Sequence, residues 1–401
     1  MRVLHVYKDV YPPIVGGIER HIDSIRRALP DIQHDVLVCA RGVRTRIGHA
    51  SSGDRRGTEI LVGEFGRPLS TPLAPSFPLW LSRYARGAIV HLHMPQPVGE
   101  LSVLLARGHA PLAVTYHADI YRQRSLLFLY RRLVVRVLRE ADVVIVASRA
   151  LAVRSPMIQA AHVDAEIAPY AIDPAEFARE AADPVLVDEI RSRYGECHVV
   201  AVGRLVAYKG FDRLVAAATR TRCPVVIVGD GTRRAALEEQ IRKLGLTTKV
   251  FLTGEVDDHR LSAHLAAATA FVLPSWNRAE GFGIALLEAQ AAGLPVIATD
   301  VGTGTIEAFA QGETGIAVRP NDVQGLIEAI NSLVASPARA RAMGEAGRRR
   351  VEQCNSLANL ADRLRPIYER IERAPDRPAT RVNRRVSRSF TRLARIRRPR
   401  G

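Results

Sequence analysis

The chain has 401 residues, of which 47% are apolar, and its formal net charge at pH 7 is +16. This length and apolar content suffice for a large buried core and favour two domains over one. Ten arginines and no acid follow Asp376, and removing those ten charges leaves +6 for residues 1–376. The excess charge is therefore mostly terminal, and it does not indicate a nucleic-acid-binding body.

The cysteine pattern and the amino terminus both favour a cytoplasmic protein. The four cysteines lie far apart without a Cys-x-x-Cys pair, so they suggest neither a disulfide framework nor a zinc site. The opening MRVLHVYKDV lacks the basic head and apolar stretch of a secretion signal. No uninterrupted apolar run reaches the roughly 18 residues that a transmembrane helix needs. We expect a soluble protein, or one peripheral to a membrane.

Apolar strand patterns alternate with amphipathic helices in the first half, which predicts a parallel sheet covered by helices on both faces. The predicted strands are 3–7, 35–40, 89–92, 112–116, 143–147 and 166–169. The clearest predicted helices are 18–29 and 126–139. This pattern predicts an amino-terminal Rossmann-like lobe over residues 1–173.

Residues 174–196 lose the apolar strand character and contain Pro174 and Pro184, which predicts a linker. A second Rossmann-like lobe follows over 197–355. Its predicted strands are 199–202, 225–228, 250–252, 270–273, 296–298 and 315–318. Helices at 323–334, 337–353 and 357–373 have no strands between them. We predict a crossover helix at 356–375 and a separate Arg-rich tail at 376–401. Because parallel sheets bind ligands at the carboxyl ends of their strands, we expect two lobes facing one cleft.

The first candidate ligand segment is YPPIVGGIER, which follows the first strand. Gly16 and Gly17 open a helix there, so the backbone can approach a ligand and free amides can face a phosphate. An ordinary strand-to-helix turn is the alternative for this segment taken alone.

The second segment follows the strand at 199–202. Arg204 and Lys209 lie beside glycines, where a guanidinium fork and an ammonium can neutralise a diphosphate. A solvated loop is the alternative, but two cations at a strand's carboxyl end favour the ligand interpretation.

The third and most specific segment is EGFGIALLE, which places Glu280 before a helix and Glu288 one to two turns into it. The amides of Gly281, Phe282, Gly283 and Ile284 open this helix and can hold phosphate oxygens. The alternative is that Glu280 complements the helix dipole and Glu288 is a surface charge. Since an unpaired acid in an apolar run is costly, a hydroxyl-rich ligand would supply a partner for Glu288.

Together these segments resemble glycosyltransferase family 4, the retaining transferases of the GT-B fold, over residues 1–374. The resemblance implies that Glu280 faces the transferred sugar and Glu288 grips the ribose hydroxyls. It implies that Arg204 and Lys209 contact the diphosphate, and that Gly16 and Gly17 form the donor loop of the first lobe. His117 matches a histidine near the sugar. Gly254, Glu255 and Val256 match a turn whose backbone meets the nucleotide base.

The chain departs from the family pattern at DVGTGT, residues 300–305, where relatives often carry paired glycines.

The segments HVYKDVYPPIVGGIERH and RLVAYKGF resemble bacterial mannosyltransferases of surface-polysaccharide synthesis. This resemblance implies a hexose transferase with GDP-mannose as donor and a glycan or lipid-linked acceptor. A UDP-sugar donor and a nucleotide-sugar binding protein without turnover are the alternatives. No strand is followed by Gly-x-Gly-x-x-Gly, which argues against a dinucleotide oxidoreductase.

The sequence predicts transfer without a cofactor or metal ion, because there is no Asp-x-Asp triplet to hold Mg²⁺. Arg204, Lys209 and helix-start amides would stabilise the leaving diphosphate instead. A same-face reaction and a glycosyl-enzyme intermediate at Glu280 both remain open.

Three further features have open interpretations. His91 and His93 alternate on one strand but have no third ligand at a recognisable spacing, so cleft-lining or packed side chains are favoured over zinc. Trp276 has two open interpretations: it stacks on the nucleotide base or the acceptor, or it is an aromatic residue of the core or the rim. In the tail, Val382, Val386, Phe390 and Leu393 recur at helical spacing among arginines. That pattern fits a helix lying on an anionic membrane at the inner face of the cell membrane, or a disordered basic tail.

Overall fold

The structure is a computed structural model that describes residues 1–12, 14, 16–49, 57–68, 71–119 and 124–374. Backbone contacts divide the chain into two compact units. Unit 1 comprises Met1–Pro169 and the chain from Leu360 onward, and unit 2 comprises Tyr170–Asn359. The Arg-rich tail at 376–401, for which we predicted a membrane helix or a disordered segment, lies outside the described residues.

Unit 1 alternates strands and helices along the chain. In order, its elements are β1 (Arg2–Val6), α1 (Gly17–Ala28), β2 (Gln33–Arg41), β3 (Arg46–His49), β4 (Thr58–Glu64), α2 (Phe77–Tyr84), β5 (Ile89–Met94), α3 (Pro97–Ala106), β6 (Leu112–Tyr116), α4 (Arg124–Glu140), β7 (Val143–Val146), α5 (Arg149–Arg154), α6 (Pro156–Ala161) and β8 (Ala165–Ile167).

The strands of unit 1 form an eight-stranded sheet in the order β3-β4-β2-β1-β5-β6-β7-β8. Every pairing is parallel except the one between β3 and β4. The chain builds outward from β1 in one direction and then continues from β5 on the other side of β1. The strand order therefore reverses between β1 and β5, which is where open parallel sheets bind ligands.

The two faces of this sheet differ in polarity because side chains alternate along each strand. One face carries Leu4, Val6, Leu37 and Leu92, which pack in an apolar core with side chains from α2, α3 and α4. The opposite face carries histidines as well as apolar residues, and α1 contributes Ile22 to it. The sheet is thus buried on both sides, and only one side is uniformly apolar.

Unit 2 has the same alternation, preceded by a helical segment. In order, its elements are α7 (Pro174–Phe177), α8 (Pro184–Tyr194), β9 (Val199–Val202), α9 (Phe211–Ala218), β10 (Val225–Val228), α10 (Arg234–Lys243), β11 (Val250–Gly254), α11 (Asp258–Ala267), β12 (Ala270–Leu273), α12 (Ile284–Ala291), β13 (Val296–Thr299), β14 (Gly315–Val318), α13 (Val323–Val334) and α14 (Pro337–Cys354). The last helix, α15 (Leu357–Arg373), begins in unit 2 and continues in unit 1.

The strands of unit 2 form a six-stranded parallel sheet in the order β11-β10-β9-β12-β13-β14. Runs such as Val225–Val228 are fully buried because helices cover both faces. Side-chain caps help to start several helices; for example, Asp257 accepts a hydrogen bond from the Arg260 amide, and Asp322 accepts one from the Gly325 amide. Here the strand order reverses between β9 and β12.

The α/β architecture matches the prediction of two Rossmann-like lobes, with two differences in detail. The strands β3 and β4 were not predicted, because two acids interrupt the apolar pattern of β4. Both acids are paired with arginines: Glu59 with Arg26, which is remote in sequence, and Glu64 with Arg67, three residues later. The segment 174–196, predicted as a linker, instead forms α7, a short 3-10 turn and α8 within unit 2. Pro174 and Pro184 each occupy the first turn of a helix, where proline is tolerated.

The helix α15 is attached to unit 1 by polar contacts along its length. Arg365 pairs with Asp31 at 2.7 Å, and the hydroxyl of Tyr368 lies 2.7 Å from Nδ1 of His91. Within the described ranges, no helix combines the length and apolar content that crossing a bilayer requires.

Candidate active site

The reversal of strand order in unit 2 brings together two of the predicted site residues. Lys209 follows β9 and Glu280 follows β12, and these strands are neighbours in the sheet. Both residues therefore lie at the carboxyl edge of the sheet, where its topology forms a crevice. The geometry of this edge identifies the candidate donor site.

Gly210 allows the turn that carries Lys209 to pack against the end of β12. Its φ of +71° lies in the left-handed region that glycine favours. A Cβ on this residue would lie 2.0 Å from the carbonyl oxygen of Pro274. Any other residue would push the Lys209 turn away from the loop that leads to Glu280.

Lys209 and Glu280 form a largely buried ion pair. Nζ of Lys209 lies 2.7 Å from Oε2 of Glu280, and their side chains are 13% and 9% exposed. The hydroxyl of Ser275 donates a second hydrogen bond to the same carboxylate oxygen at 2.9 Å. Burial by itself lowers the pKa of Lys209, but the Glu280 carboxylate outweighs it and the pKa is raised. Lys209 therefore stays a full cation at neutral pH.

The loop around Glu280 is held by the backbone and by threonines after β13. The hydroxyl of Thr303 donates to the carbonyl oxygen of Glu280 at 2.6 Å. The amide of Gly304 donates to the carbonyl of Gly281 at 2.9 Å, and the amide of Glu280 donates to Asn277. These bonds fix the position of the carboxylate, as preorganised electrostatic stabilisation requires.

The helix α12 begins directly after this loop. Gly283 is its N-cap with a φ of +84°, and no described side chain caps the helix start. A Cβ on Gly283 would lie 2.7 Å from a methyl of Leu273. Phe282 is buried and contacts Tyr170 edge-on, with ring centroids 5.2 Å apart. Gly281, Phe282, Gly283 and Ile284 thus place the opening amides of α12 next to Glu280 in sequence, as predicted.

Glu288 lies in the second turn of α12 and is only 5% exposed. It is not without a partner inside the folded chain. The burial of Glu288 therefore does not by itself require a ligand hydroxyl as partner. Its role with a ribose stays a prediction.

The other predicted residues of unit 2 border the same edge. Arg204 is exposed and lies close enough to Lys209 to oppose its protonation electrostatically. Gly254 ends β11 with a φ of +84°, and its carbonyl accepts a hydrogen bond from Gly229. Val256 follows it and lines a cavity of about 470 Å³ along β11. Trp276 is a partly exposed rim residue. Its indole N–H donates a hydrogen bond to the carbonyl oxygen of Ala207 at 2.7 Å, and the guanidinium of Arg213 lies over its ring.

Unit 1 contributes its own set of predicted residues. Gly16 is the extended N-cap of α1, and a Cβ there would lie 2.3 Å from a carboxylate oxygen of Glu19. Gly17 begins the helix. His117 follows β6 and is 3% exposed, and its amide donates to Met94.

His91 and His93 are fully buried and packed, with His5 of β1 beside them as a third nearby imidazole. His5 comes from a neighbouring strand, so no sequence spacing could reveal it.

Sequence reasoning missed several residues that build these sites. Thr303 and Gly210 act through contacts with residues from other parts of the chain, and Ser275 acts through Glu280, five residues later in the same loop. Only Gly210 carried a local signal, as a glycine between a cation and a helix start.

Comparisons with known proteins identify the family of the chain. Residues 15–175 match the family model described as Glycosyltransferase Family 4, and residues 188–350 match the model described as Glycosyl transferases group 1. The chain is similar to a sucrose-phosphate synthase from Thermosynechococcus elongatus, with a TM-score of 0.75, 21% identity and coverage of 92% of this chain and 98% of that one.

Two relatives align along most of their length. O-antigen chain mannosyltransferase C of Escherichia coli is 32% identical over 372 residues, covering 92% of this chain and 98% of that protein. The GDP-mannose-dependent alpha-(1-6)-phosphatidylinositol monomannoside mannosyltransferase of Mycolicibacterium smegmatis is 36% identical over 351 residues, covering 84% and 91%.

The two Rossmann-like units and the structural neighbours define a glycosyltransferase of the GT-B fold class. The chain belongs to glycosyltransferase family 4.

Proposed function

We propose that this glycosyltransferase moves a hexose, with retention, from a nucleotide diphosphate sugar to a glycan or lipid-linked acceptor. The observation that carries the proposal is the buried Lys209–Glu280 ion pair at the carboxyl edge of the unit 2 sheet. A cation and a carboxylate at one ligand-binding edge fit the two charges of the reaction. The leaving diphosphate is anionic, and the sugar carbon becomes cationic in the transition state.

Lys209 is the residue that meets the departing diphosphate. Its ammonium is charged and its position is fixed by the Gly210 turn, so little reorganisation is needed when negative charge develops. Exposed Arg204 adds a planar guanidinium that can bind two phosphate oxygens. The amides that open α12 supply further donors for the same anion.

Glu280 is the residue that faces the transferred sugar. Ser275 and Lys209 both donate to its Oε2, so the carboxylate is oriented before a sugar arrives. In this position Glu280 stabilises the positive charge on the sugar carbon. A covalent glycosyl-enzyme and a same-face departure guided by the diphosphate are both compatible with that role. His117, the donor loop at Gly16 and Gly17, and Glu288 complete the proposed set.

The proposed donor is GDP-mannose, with a UDP-sugar as the alternative. Support comes from the two relatives above, one an O-antigen chain mannosyltransferase and one a GDP-mannose-dependent mannosyltransferase. The same names support a role in cell-surface polysaccharide synthesis.

The reaction is proposed to need no metal ion. Among the described residues, the grouped histidines and acids that could hold a metal are His5, His91 and His93, which belong to unit 1. At the unit 2 edge, Lys209 and Arg204 are cationic groups that can face a diphosphate. They supply the positive charge that Mg²⁺ supplies in transferases with an Asp-x-Asp motif.

The sequence of the tail adds an anionic membrane surface as a partner. Its ten arginines attract acidic headgroups, and its apolar residues at helical spacing suit a helix lying in the interface. We propose that this attraction holds the enzyme at the cytoplasmic face of the membrane, close to a lipid-linked acceptor.

The donor is tested by thermal-shift measurements with GDP, UDP and ADP and with their sugars, in buffer containing EDTA. A nucleotide that binds the folded state raises the melting temperature by mass action. We expect GDP and GDP-mannose to give the largest shifts. A larger rise in melting temperature with UDP than with GDP would indicate a UDP-sugar as the donor. No rise with any nucleotide would overturn the proposal.

Turnover separates an enzyme from a binding protein without activity. Diphosphate release from GDP-mannose in the presence of an acceptor is expected for the wild type. Binding without release for every acceptor would favour the non-catalytic alternative.

A further inference from the structure

The loop that follows β12 holds both halves of the unit 2 ion pair. Ser275 donates a hydrogen bond to the Glu280 carboxylate at 2.9 Å. The next residue, Trp276, is joined by two hydrogen bonds to the turn that carries Lys209. Two adjacent residues of one loop therefore contact the anion and the turn of the cation.

Trp276 binds two successive carbonyl groups of the Lys209 turn. Its backbone amide donates to the carbonyl oxygen of Tyr208 at 3.0 Å, and its indole N–H donates to that of Ala207 at 2.7 Å. Both carbonyls belong to the 3-10 turn Ala207–Lys209. One bond alone would let the turn pivot about it, so the second bond, from the indole, fixes the orientation of the turn as well as its position.

The guanidinium of Arg213 holds the indole ring in place. Its Cζ lies 4.8 Å from the centroid of the Trp276 ring, which is a cation–π distance. Arg213 is itself fixed, because its Nε donates to Asn321 at 2.6 Å and its Nη1 pairs with Asp212 at 3.0 Å. Arg213 therefore occupies one face of the ring, and that face is not available for stacking on a base or a sugar.

We infer that Trp276 is a positioning residue, whose indole N–H fixes the turn that places the Lys209 ammonium at the carboxyl edge of the sheet. The inference rests on the proposed function, in which Lys209 meets the leaving diphosphate. A lysine ammonium is a point charge on a flexible stem. A turn that pivots would spread this charge over several positions, and it would then stabilise the diphosphate less well. Trp276 acts through Lys209 and does not itself bind the donor.

Two substitutions of Trp276 separate the hydrogen bond from the aromatic ring. Trp276→Phe keeps a ring for Arg213 but removes the N–H, whereas Trp276→Gln keeps an N–H donor but removes the ring. The probe is GDP, or UDP if UDP gives the larger thermal shift. We expect Trp276→Phe to weaken its binding about tenfold in calorimetric titrations, since one ordinary hydrogen bond is lost. Trp276→Gln is expected to recover most of that affinity.

The control is Trp80→Phe, which makes the same change at the other tryptophan, on α2 of unit 1. It is expected to bind the diphosphate as the wild type does. Melting curves of every variant check that the compared proteins are folded. Tighter binding in Trp276→Phe than in Trp276→Gln would show that the ring stacks on the ligand, and it would overturn the inference.

The Lys209→Met background tests whether Trp276 acts through Lys209. Once the ammonium is gone, Trp276→Phe is expected to cause no further loss of diphosphate affinity, so the double variant should bind as Lys209→Met does. A tenfold loss from Trp276→Phe in both backgrounds would mean that Trp276 contributes a separate contact. That additive result would overturn the inference.

Lysine acylation, followed by mass spectrometry, reports the position of Lys209 without ligand or turnover. Lys209 is 13% exposed and bonded to Glu280, so we expect it to react slowly in the wild type. Trp276→Phe is expected to speed this reaction several-fold, while Trp276→Gln and Trp80→Phe leave it slow. Lys243, which is 72% exposed in the same protein, is the internal reference. An unchanged Lys209 rate in Trp276→Phe would overturn the inference.

Failure of the proposed function would give a different pattern. Lys209→Met would then bind the diphosphate as tightly as the wild type, whereas acylation of Lys209 would still respond to Trp276→Phe. A weakened Lys209→Met without that acylation response would instead refute only the role of Trp276.

Discussion

The two sheets use the same topological position for opposite chemistry. In unit 1, the reversal between β1 and β5 lies among neutral imidazoles such as His5 and His93. In unit 2, the reversal between β9 and β12 carries a formal cation and anion in contact. The fold determines where polar groups converge, whereas the residue types at that position determine whether they carry charge.

The difference matters because buried charge is costly and buried neutral polarity is not, provided every group is bonded. Unit 2 places ions at the edge of its sheet, with each partner still slightly exposed. Unit 1 places neutral histidines in the sheet interior, where His5 is within hydrogen-bond distance of His34 and His93. We therefore expect the charges of unit 2 to act directly on the reacting groups.

The largest effect is expected at Glu280. Glu280→Gln keeps the size of the side chain and an oxygen that can accept from Ser275, but it removes the negative charge that faces the sugar. We expect kcat for transfer to fall by about 10²–10³-fold or more, as for loss of a fixed electrostatic stabiliser. Initial rates with saturating donor measure this change.

The control for that prediction is Glu345→Gln, which changes an exposed acid on α14 of the same unit. It is expected to have wild-type rates. Equal turnover in Glu280→Gln and the wild type would show that the charge of Glu280 does not take part in the reaction. The proposed chemical contrast between the two units would then be wrong.

A smaller effect is expected from the neutral interior of unit 1. Glu100 of α3 is fully buried, and burial raises its pKa to about 7 although Tyr130 and the Gln96 amide donate to it. An acid whose pKa is raised on folding contributes stability at low pH that is lost as the pH rises through the folded pKa. The wild type should therefore lose about 3 kcal/mol of unfolding free energy between pH 4.5 and pH 8 from this group.

Glu100→Gln cannot ionise and should lack this loss, so the variant gains stability relative to the wild type as the pH rises. Denaturant unfolding at several pH values measures the difference in unfolding free energy between the two proteins. Asp362→Asn, at an exposed position of α15, is the control. Parallel pH profiles for Glu100→Gln and the wild type would show that the ionisation of Glu100 is not coupled to folding in this pH range.

Much of the fold could be predicted because most strands are continuous apolar runs. Both Val225–Val228 and Val143–Val146 are buried along their whole length. Their uninterrupted β-branched residues favour a strand over a helix. Strand β4 escaped prediction because Glu59 interrupts its apolar pattern and is stabilised by Arg26, which is remote in sequence. Pairing of that kind is a tertiary property.

The candidate site was predictable as a set of residues but not as an arrangement. Lys209 and Glu280 were each expected to meet the donor, and the structure adds that they bind each other. Ser275 and His5 had no local signal, because their partners come from a loop and a strand whose register is set by the sheet. His34 shows this clearly, because its Nε2 lies within hydrogen-bond distance of the carbonyl oxygen of Leu29. A carbonyl oxygen can only accept, so Nε2 of His34 must donate the hydrogen bond.

The most direct test of the central claim is calorimetric titration, in EDTA, of the preferred nucleoside diphosphate and its monophosphate into the wild type, Lys209→Met and Lys243→Met. Lys243 is 72% exposed on α10 and serves as the matched control. The account predicts that Lys209→Met weakens diphosphate binding by about 10-fold or more, since a charged contact to phosphate is lost, while monophosphate binding is unchanged. Equal diphosphate affinity in Lys209→Met and Lys243→Met, or diphosphate binding that appears only when Mg²⁺ is added, would contradict it.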